Sequence, residues 1–257
     1  MRALAVGVLF ALFSIGGLAQ APAASSYTPE VGQEGKDVVW VPTPQALVDK
    51  MLDMAKVTAK DTVYDLGSGD GRTVITAAKR GARAYGIEYN PDMVALSQRN
   101  AEQAGVSKSA TFRKADLFET DLSKATVITM FLLPDINLKL RPKILALKPG
   151  TRVVSNTFTM GEWEADRKET LDSNAGCTSS WCTALLWIVP AQASGTHKLA
   201  QGELTLAQEF QKLSGTLKTA GGETLPVEGR VRGNAVSFTA GGHEYRGRVT
   251  ARGLELR

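Results

Sequence analysis

Between residues 44 and 157 short apolar runs alternate with longer amphipathic stretches. The runs 63–66, 84–88, 110–115, 125–133 and 151–157 predict buried strands, and the stretches 45–55, 72–80, 91–105 and 136–147 predict helices. In the first helix Leu47, Val48, Met51, Leu52 and Ala55 share one side; in the second Val74, Ile75 and Ala78 do. The punctuation agrees. Thr43 is placed to cap the first helix with Pro44 at its first position, Gly81 ends the second, and Pro91 opens the third, which Gly105 stops. Such alternation predicts an α/β fold, a parallel sheet with helices on both faces.

After residue 157 the grammar changes. TALLWIVP (183–190) predicts one more strand, and no helical period follows it. Segments 197–201, 203–212, 215–218, 227–231, 235–239, 245–249 and 254–256 alternate apolar and polar, with turns at Gly221-Gly222, Gly233-Asn234 and Gly241-Gly242. They predict a C-terminal antiparallel β extension whose first strands complete the main sheet. The faint echo between GRVRG (229–233) and GRVTARG (247–253) is read as hairpin geometry. The expected divisions are a leader at 1–23, a loosely packed polar lead-in at 24–40, a main domain at 41–190 and the extension at 191–257.

Composition narrows the class. The 257 residues are 43% hydrophobic and 22% charged, enough to bury a core. The net charge of +4 is spread without a run of five basic residues, so nucleic acid is not indicated as a partner. Arg2, the apolar stretch 3–19 and the Ala21-Pro22-Ala23 site describe a cleavable secretory signal, and an uncleaved membrane anchor is the alternative. Either places the remainder outside the cytoplasm, in a bacterial cell the periplasm. Cys177 and Cys182 lie in a turn-rich stretch where a disulfide is sterically reasonable, although spacing alone leaves two free thiols open. The only histidines, His197 and His243, stand far from them in sequence, and a metal centre is rejected.

The chemistry gathers at strand ends. VYDLGSGDGR (63–72) is a buried strand ending in Asp65, then glycines 67, 69 and 71, then a helix start. Glycines there let the backbone turn sharply and approach a ligand, and the helix start offers free N–H groups. The D-x-G-x-G-x-G order differs from the dinucleotide G-x-G-x-x-G. Glu88, one β-α-β step later, ends the second strand, where a carboxylate can accept two hydrogen bonds from a ribose diol. Asp116 ends the third.

These residues, with VPTP (41–44), GIEYNP (86–91), the run from 115 to 134 and LRPKILALKPGTRVVSNTF (140–158), resemble class I S-adenosylmethionine (SAM) methyltransferases. Residues 41–165 resemble an exported or membrane-linked bacterial group of this class, and the same outline is similar to the mitochondrial lysine methyltransferases of the ATP synthase c-subunit and the adenine nucleotide translocase. The resemblance spans about half the chain, and the tail from residue 190 has no counterpart in the mitochondrial enzymes. It implies a Rossmann-like sheet with SAM as cofactor. Pro42, Thr43, Asp65, Gly67, Ser68, Gly69, Gly71, Glu88 and Asp116 would hold that cofactor. Phe131, Leu132, Leu133 and Pro134 replace the N/D-P-P-Y type motif of many amine methyltransferases, which disfavours adenine or glutamine amides and fits an apolar channel that desolvates an amine. Phe131, Leu133, Pro134 and Asn156 are therefore the acceptor-channel candidates, Phe158 and Trp163 further ones, and no general base is assigned.

The expected activity is methylation of a protein lysine or another amine. A small-molecule methyltransferase and a non-catalytic exported module are the alternatives, the latter opposed by the intact acids and glycines. A nicotinamide oxidoreductase is disfavoured by the glycine spacing. Export and a cytoplasmic cofactor conflict: SAM reaches the compartment, the true start is downstream, or the fold binds something else.

Overall fold

The computed structural model describes residues 27–256, so the expected leader lies outside the described residues. Helices α1 (Gln45–Met54), α2 (Arg72–Lys79), α3 (Pro91–Gln103) and α4 (Pro134–Leu145) alternate with strands β1 (Thr62–Leu66), β2 (Arg83–Glu88), β3 (Ala110–Lys114), β4 (Val127–Met130) and β5 (Arg152–Asn156). Each expected element is present, shifted at most a few residues at its ends. Asn90 caps α3, its side-chain oxygen accepting from the amides of Asp92 (2.9 Å) and Met93 (3.4 Å), with Pro91 in the first turn.

The start of α1 is a correction. Pro44 occupies the cap position and no side chain caps the helix. The Thr43 hydroxyl instead accepts a 3.3 Å hydrogen bond from Asn156 Nδ2. Its expected capping role yields to a tertiary partner at the end of β5.

Two further strands, β6 (Arg167–Thr170) and β7 (Thr183–Ile188), complete a sheet of order β3-β2-β1-β4-β5-β7-β6. The first five are mutually parallel and β7 runs antiparallel to both β5 and β6. Order therefore reverses between β1 and β4, where ligands bind at the carboxyl ends of an open α/β sheet. One face packs α1, α2 and α3 around Leu47, Leu52 and Val74; the other packs α4 beneath Ile128, Trp163 and Trp187. At the amino end, Asp61 joins β1, β4 and β5: it pairs with the Arg152 guanidinium and accepts from the Thr126 hydroxyl (2.8 Å) and the Thr58 amide (2.9 Å).

The expectation that the first tail strands complete the main sheet is overturned. All of β8 (Gly195–Leu199), β9 (Gly202–Glu209), β10 (Lys212–Thr219), β11 (Thr224–Arg232), β12 (Ala235–Ala240), β13 (His243–Thr250) and β14 (Gly253–Leu256) form a separate antiparallel meander. Earlier residues, β6 and β7, fill the place in the main sheet. The meander curls until β14 lies beside β8, and its concave side is packed by Leu204, Leu213, Val231 and Phe238. The segment expected as one strand over 203–212 is broken by a two-residue turn at Phe210 and Gln211. Phe210 takes a left-handed φ of 51°, and its ring stacks on Trp163 with centroids 6.2 Å apart. Gln211 is buried and its Nε2 donates to the Glu164 carbonyl at 2.8 Å, so this turn docks the meander on the main domain.

Candidate active site

An open cavity of about 1040 Å³, counted to its mouth, lies at the carboxyl ends of β1, β2 and β4. Its floor is the loop after β1, where Gly67 (φ 76°) and Gly69 (φ 53°) take left-handed conformations that a side chain would strain. The amides of Gly67 and Ser68 both donate to the Ile87 carbonyl, at 2.9 and 3.1 Å, tying the loop to β2. A Cβ on Gly69 would lie 2.5 Å from Trp40 Nε1. The third glycine acts differently. Gly71 is outside the cavity wall, and a Cβ there would meet the Phe112 ring at 2.8 Å and Ser97 Cβ at 2.9 Å. It seats α2 against β3 and α3.

The acids stand where the sequence places them. Asp65 is 6% exposed and accepts a 2.7 Å hydrogen bond from the Thr129 hydroxyl. Burial pushes its carboxyl up to about 7, the Thr129 hydrogen bond opposes this, and the charges of Asp70 and Glu88 add to it. Glu88 Oε2 accepts from the Gly69 amide at 3.0 Å and Oε1 from the Asn90 amide at 2.9 Å, which orients the carboxylate toward the loop. Asp116 pairs with Lys36 Nζ at 2.9 Å and accepts from the Phe118 amide at 2.8 Å, and these hold its carboxyl below the usual range.

From residue 27 onward, the expected 24–40 lead-in is not the loose segment its polarity predicts. The Gly32 amide donates to the Trp40 carbonyl at 2.8 Å and the Trp40 amide to the Gln33 carbonyl at 2.9 Å, closing a strap that walls the cavity from Gln33 to Thr43. Lys36 lies 5.3 Å from the Tyr89 ring centroid and 5.8 Å from that of Phe118, bridging the strap to the ends of β2 and β3. Pro42 and Thr43 line the wall, and Arg72 Nη1 donates to the Thr43 carbonyl at 3.0 Å. Sequence reasoning missed Lys36, Trp40 and Thr129. Only Thr129 had a local signal, a hydroxyl in the otherwise apolar strand VITM.

The acceptor candidates separate. Phe131 and Leu132 line the cavity, whereas Leu133 and Pro134 are exposed at the start of α4. Asn156 is fully buried and reaches the wall only through Thr43. Trp163 is also fully buried, against Trp187 and Phe210, and is core rather than channel. Phe158 stacks on Phe131 with centroids 5.9 Å apart, and Trp181, which precedes Cys182, lies 6.0 Å from Phe131. Cys177 and Cys182 form a disulfide.

The donor set fits a SAM-type ligand. A glycine cradle stands under a buried acid whose ionisation a ligand ammonium would favour, with acids at two further strand ends for ribose and adenine. Residues 65–167 match the ANTKMT methyltransferase domain family. The chain is 47% identical over 141 residues to a protein-lysine N-methyltransferase of Saccharolobus islandicus, covering 54% of this chain and 83% of that protein. It is 35% identical over 143 residues to the adenine nucleotide translocase lysine N-methyltransferase of Mus musculus, covering 51% of this chain and 62% of the mouse protein. A similar solved structure is the RNA methyltransferase of Salinibacter ruber with S-adenosyl-L-homocysteine: 48% identity, TM-score 0.55, 59% of this chain and 95% of that one. The match thus spans less than two thirds of the mouse enzyme, and the tail from β8 onward lies beyond the matched family segment. Strand order, acid positions and these likenesses together make the chain a member of the class I SAM-dependent methyltransferases, in the ANTKMT-type family.

Proposed function

We propose that this methyltransferase N-methylates the ε-amine of a lysine in a protein. The carrying observation is the end of the cavity at β4, closed by Phe131 and Leu132 with no Asn or Asp at 131–134 to orient a planar nitrogen. The names of the relatives from S. islandicus and from mammals support the same acceptor.

SAM supplies an electrophilic methyl group on a sulfonium. Asp65, as carboxylate, would hold the ammonium of the methionine end beside Gly67 and Ser68. Glu88 would take the ribose hydroxyls. Asp116 would face the adenine amine, sharing its charge with Lys36. Phe131 and Leu132 exclude water from the attacking nitrogen, which favours the neutral amine and so lowers its pKa. In-line displacement demands position above acid–base help, with the nucleophile about 3–3.5 Å from the carbon. The test is incubation with methyl-labelled SAM and cell extract, followed by analysis of labelled macromolecules. Label recovered as methyl-lysine, and absent with Asp65→Ala, is expected. Label in RNA, the acceptor class in the name of the S. ruber relative, or in small molecules overturns the lysine reading.

The same proposal places the enzyme outside the cytoplasm. The leader-like residues 1–23 and the paired Cys177 and Cys182 support this, since disulfides persist in oxidising compartments. Fractionation should find protein beginning after residue 23 in the periplasm; unprocessed protein in the cytosol overturns it.

A further inference from the structure

The acceptor side carries a feature that the cofactor motifs do not explain. Three segments distant in sequence converge at the carboxyl edge of the sheet. Phe131 follows β4, Phe158 follows β5, and Trp181 leads into β7. Because β7 runs antiparallel to β5, its first residues arrive where β5 ends: Ala184 pairs with Asn156, and the Thr157 amide donates to the Thr183 carbonyl at 2.7 Å. The rings meet there. Phe131 and Phe158 stack at 19°, and Trp181 is tilted 59° against Phe131. Phe131 belongs to the cavity wall while Trp181 is 37% exposed, so the cluster runs from the cavity out to solvent.

The placement of Trp181 is built. Its amide donates to Ser179 Oγ at 2.9 Å, and the next residue is anchored by the disulfide to Cys177. Both cysteines are buried among the residues of the α1 face, and the Cys177 amide donates to the Asp172 carbonyl at 3.0 Å. An exposed tryptophan on a free loop would turn away or collapse; this one is presented from a closed loop.

Resting on the lysine reading above, we infer that Trp181, Phe131 and Phe158 form the subsite that receives the acceptor side chain. The exposed Trp181 face takes the ammonium on entry, and the rings hold its methylene stem once the nitrogen, its proton lost to solvent, has passed to the dry end at Phe131 and Leu132. Aromatic faces attract cations through the ring quadrupole, and Trp most strongly. The methylated product is a larger and more weakly hydrated cation, which the same faces hold without a carboxylate. The disulfide loop is the positioning element.

The test uses the full chain loaded with S-adenosylhomocysteine. n-Butylammonium and n-butyltrimethylammonium serve as side-chain probes, with n-pentanol as the neutral comparator and adenosine as a base probe. Both cations should bind saturably by calorimetry and shift the indole N–H resonance of Trp181, identified by its loss in Trp181→Phe. Trp181→Ala should weaken both by about fivefold or more, while Trp181→Phe stays within about threefold. The double variant Cys177→Ser/Cys182→Ser keeps Trp181 but frees its loop, and should weaken binding in the same direction. Cation binding absent in the wild type, or unchanged in Trp181→Ala, overturns the subsite; so does a Trp181 shift with adenosine alone. Unchanged binding in the double variant overturns the positioning role of the loop. The lysine reading fails separately, by label in another acceptor while the cations still bind at Trp181.

Discussion

The Thr129 hydroxyl on β4 donates to Asp65 on β1 across 2.7 Å, where the two strands pair in register. It is one of two hydroxyls, the other being Thr73, that oppose the burial of a carboxyl whose pKa still stands at about 7. A cationic ligand requires the charged form. SAM affinity should therefore fall as pH drops through about 7, by up to about tenfold per pH unit below it. Thr129→Val should move the midpoint upward by about one unit, and Asp65→Asn should bind weakly at every pH. Calorimetry from pH 5.5 to 8.5 reads all three; a flat wild-type profile contradicts the assignment. Stability runs the opposite way. Between the ordinary carboxylate value and about 7 the folded chain holds a proton that the unfolded chain has released. Asp65 thus costs the ligand-free fold stability as pH rises through that window, and Asp65→Asn should abolish that dependence.

Gly69 bears on the strap. An alanine there takes an unfavourable left-handed φ, costing about 1–2 kcal/mol, and its Cβ would meet Trp40 at 2.5 Å. Gly69→Ala should weaken SAM binding about tenfold or more with the helical circular dichroism intact. Gly71→Ala instead meets Phe112 and Ser97, and should lower the unfolding midpoint as well.

At the far end of the sheet, Asp61 pairs with Arg152 and is 5% exposed. Burial raises its carboxyl, but the Arg152 guanidinium, the Thr58 amide and the Thr126 hydroxyl outweigh that and hold it below its ordinary value. Its contribution is complete above the unfolded value and is lost as pH falls through the lower folded one. Asp61→Asn leaves Arg152 unpaired and should cost about 3 kcal/mol in denaturant unfolding near neutral pH. The variant should also lose part of the wild type's acid-unfolding limb.

The Cys177–Cys182 disulfide closes a very short loop. Chain-entropy reasoning gives about 2 kcal/mol for a closure of this length. Dithiothreitol should lower the urea midpoint of the wild type correspondingly and leave that of Cys177→Ser/Cys182→Ser unmoved.

Much of the main domain was legible because its strands are buried on both faces and its helices carry apolar stripes, as β1 and α1 do. The three acids and the cradle glycines could be read for the same reason: strand ends recur one β-α-β step apart. Where tertiary contact decides, local pattern fails. β6 is largely exposed and charged and has no strand signature of its own; it exists because β7 pairs with it. The turn at Phe210 carries no glycine or asparagine, and tertiary partners account for it: the Trp163 ring, the Arg141 guanidinium 5.2 Å from the Phe210 centroid and the Glu164 carbonyl. Lys36 reaches Asp116 from a segment far upstream, a pairing no local spacing announces.

The two sheets among the described residues could leave four open edges, each a template for another chain. The C-terminal sheet disposes of two by its curl, since β8 and β14 come to face one another. In the main sheet, β3 ends in Arg113 and Lys114, and β6 is four residues long and carries Arg167, Lys168 and Glu169. Short or charged borders resist strand addition. The short, charged borders of the main sheet thus discourage the addition of a strand from another chain.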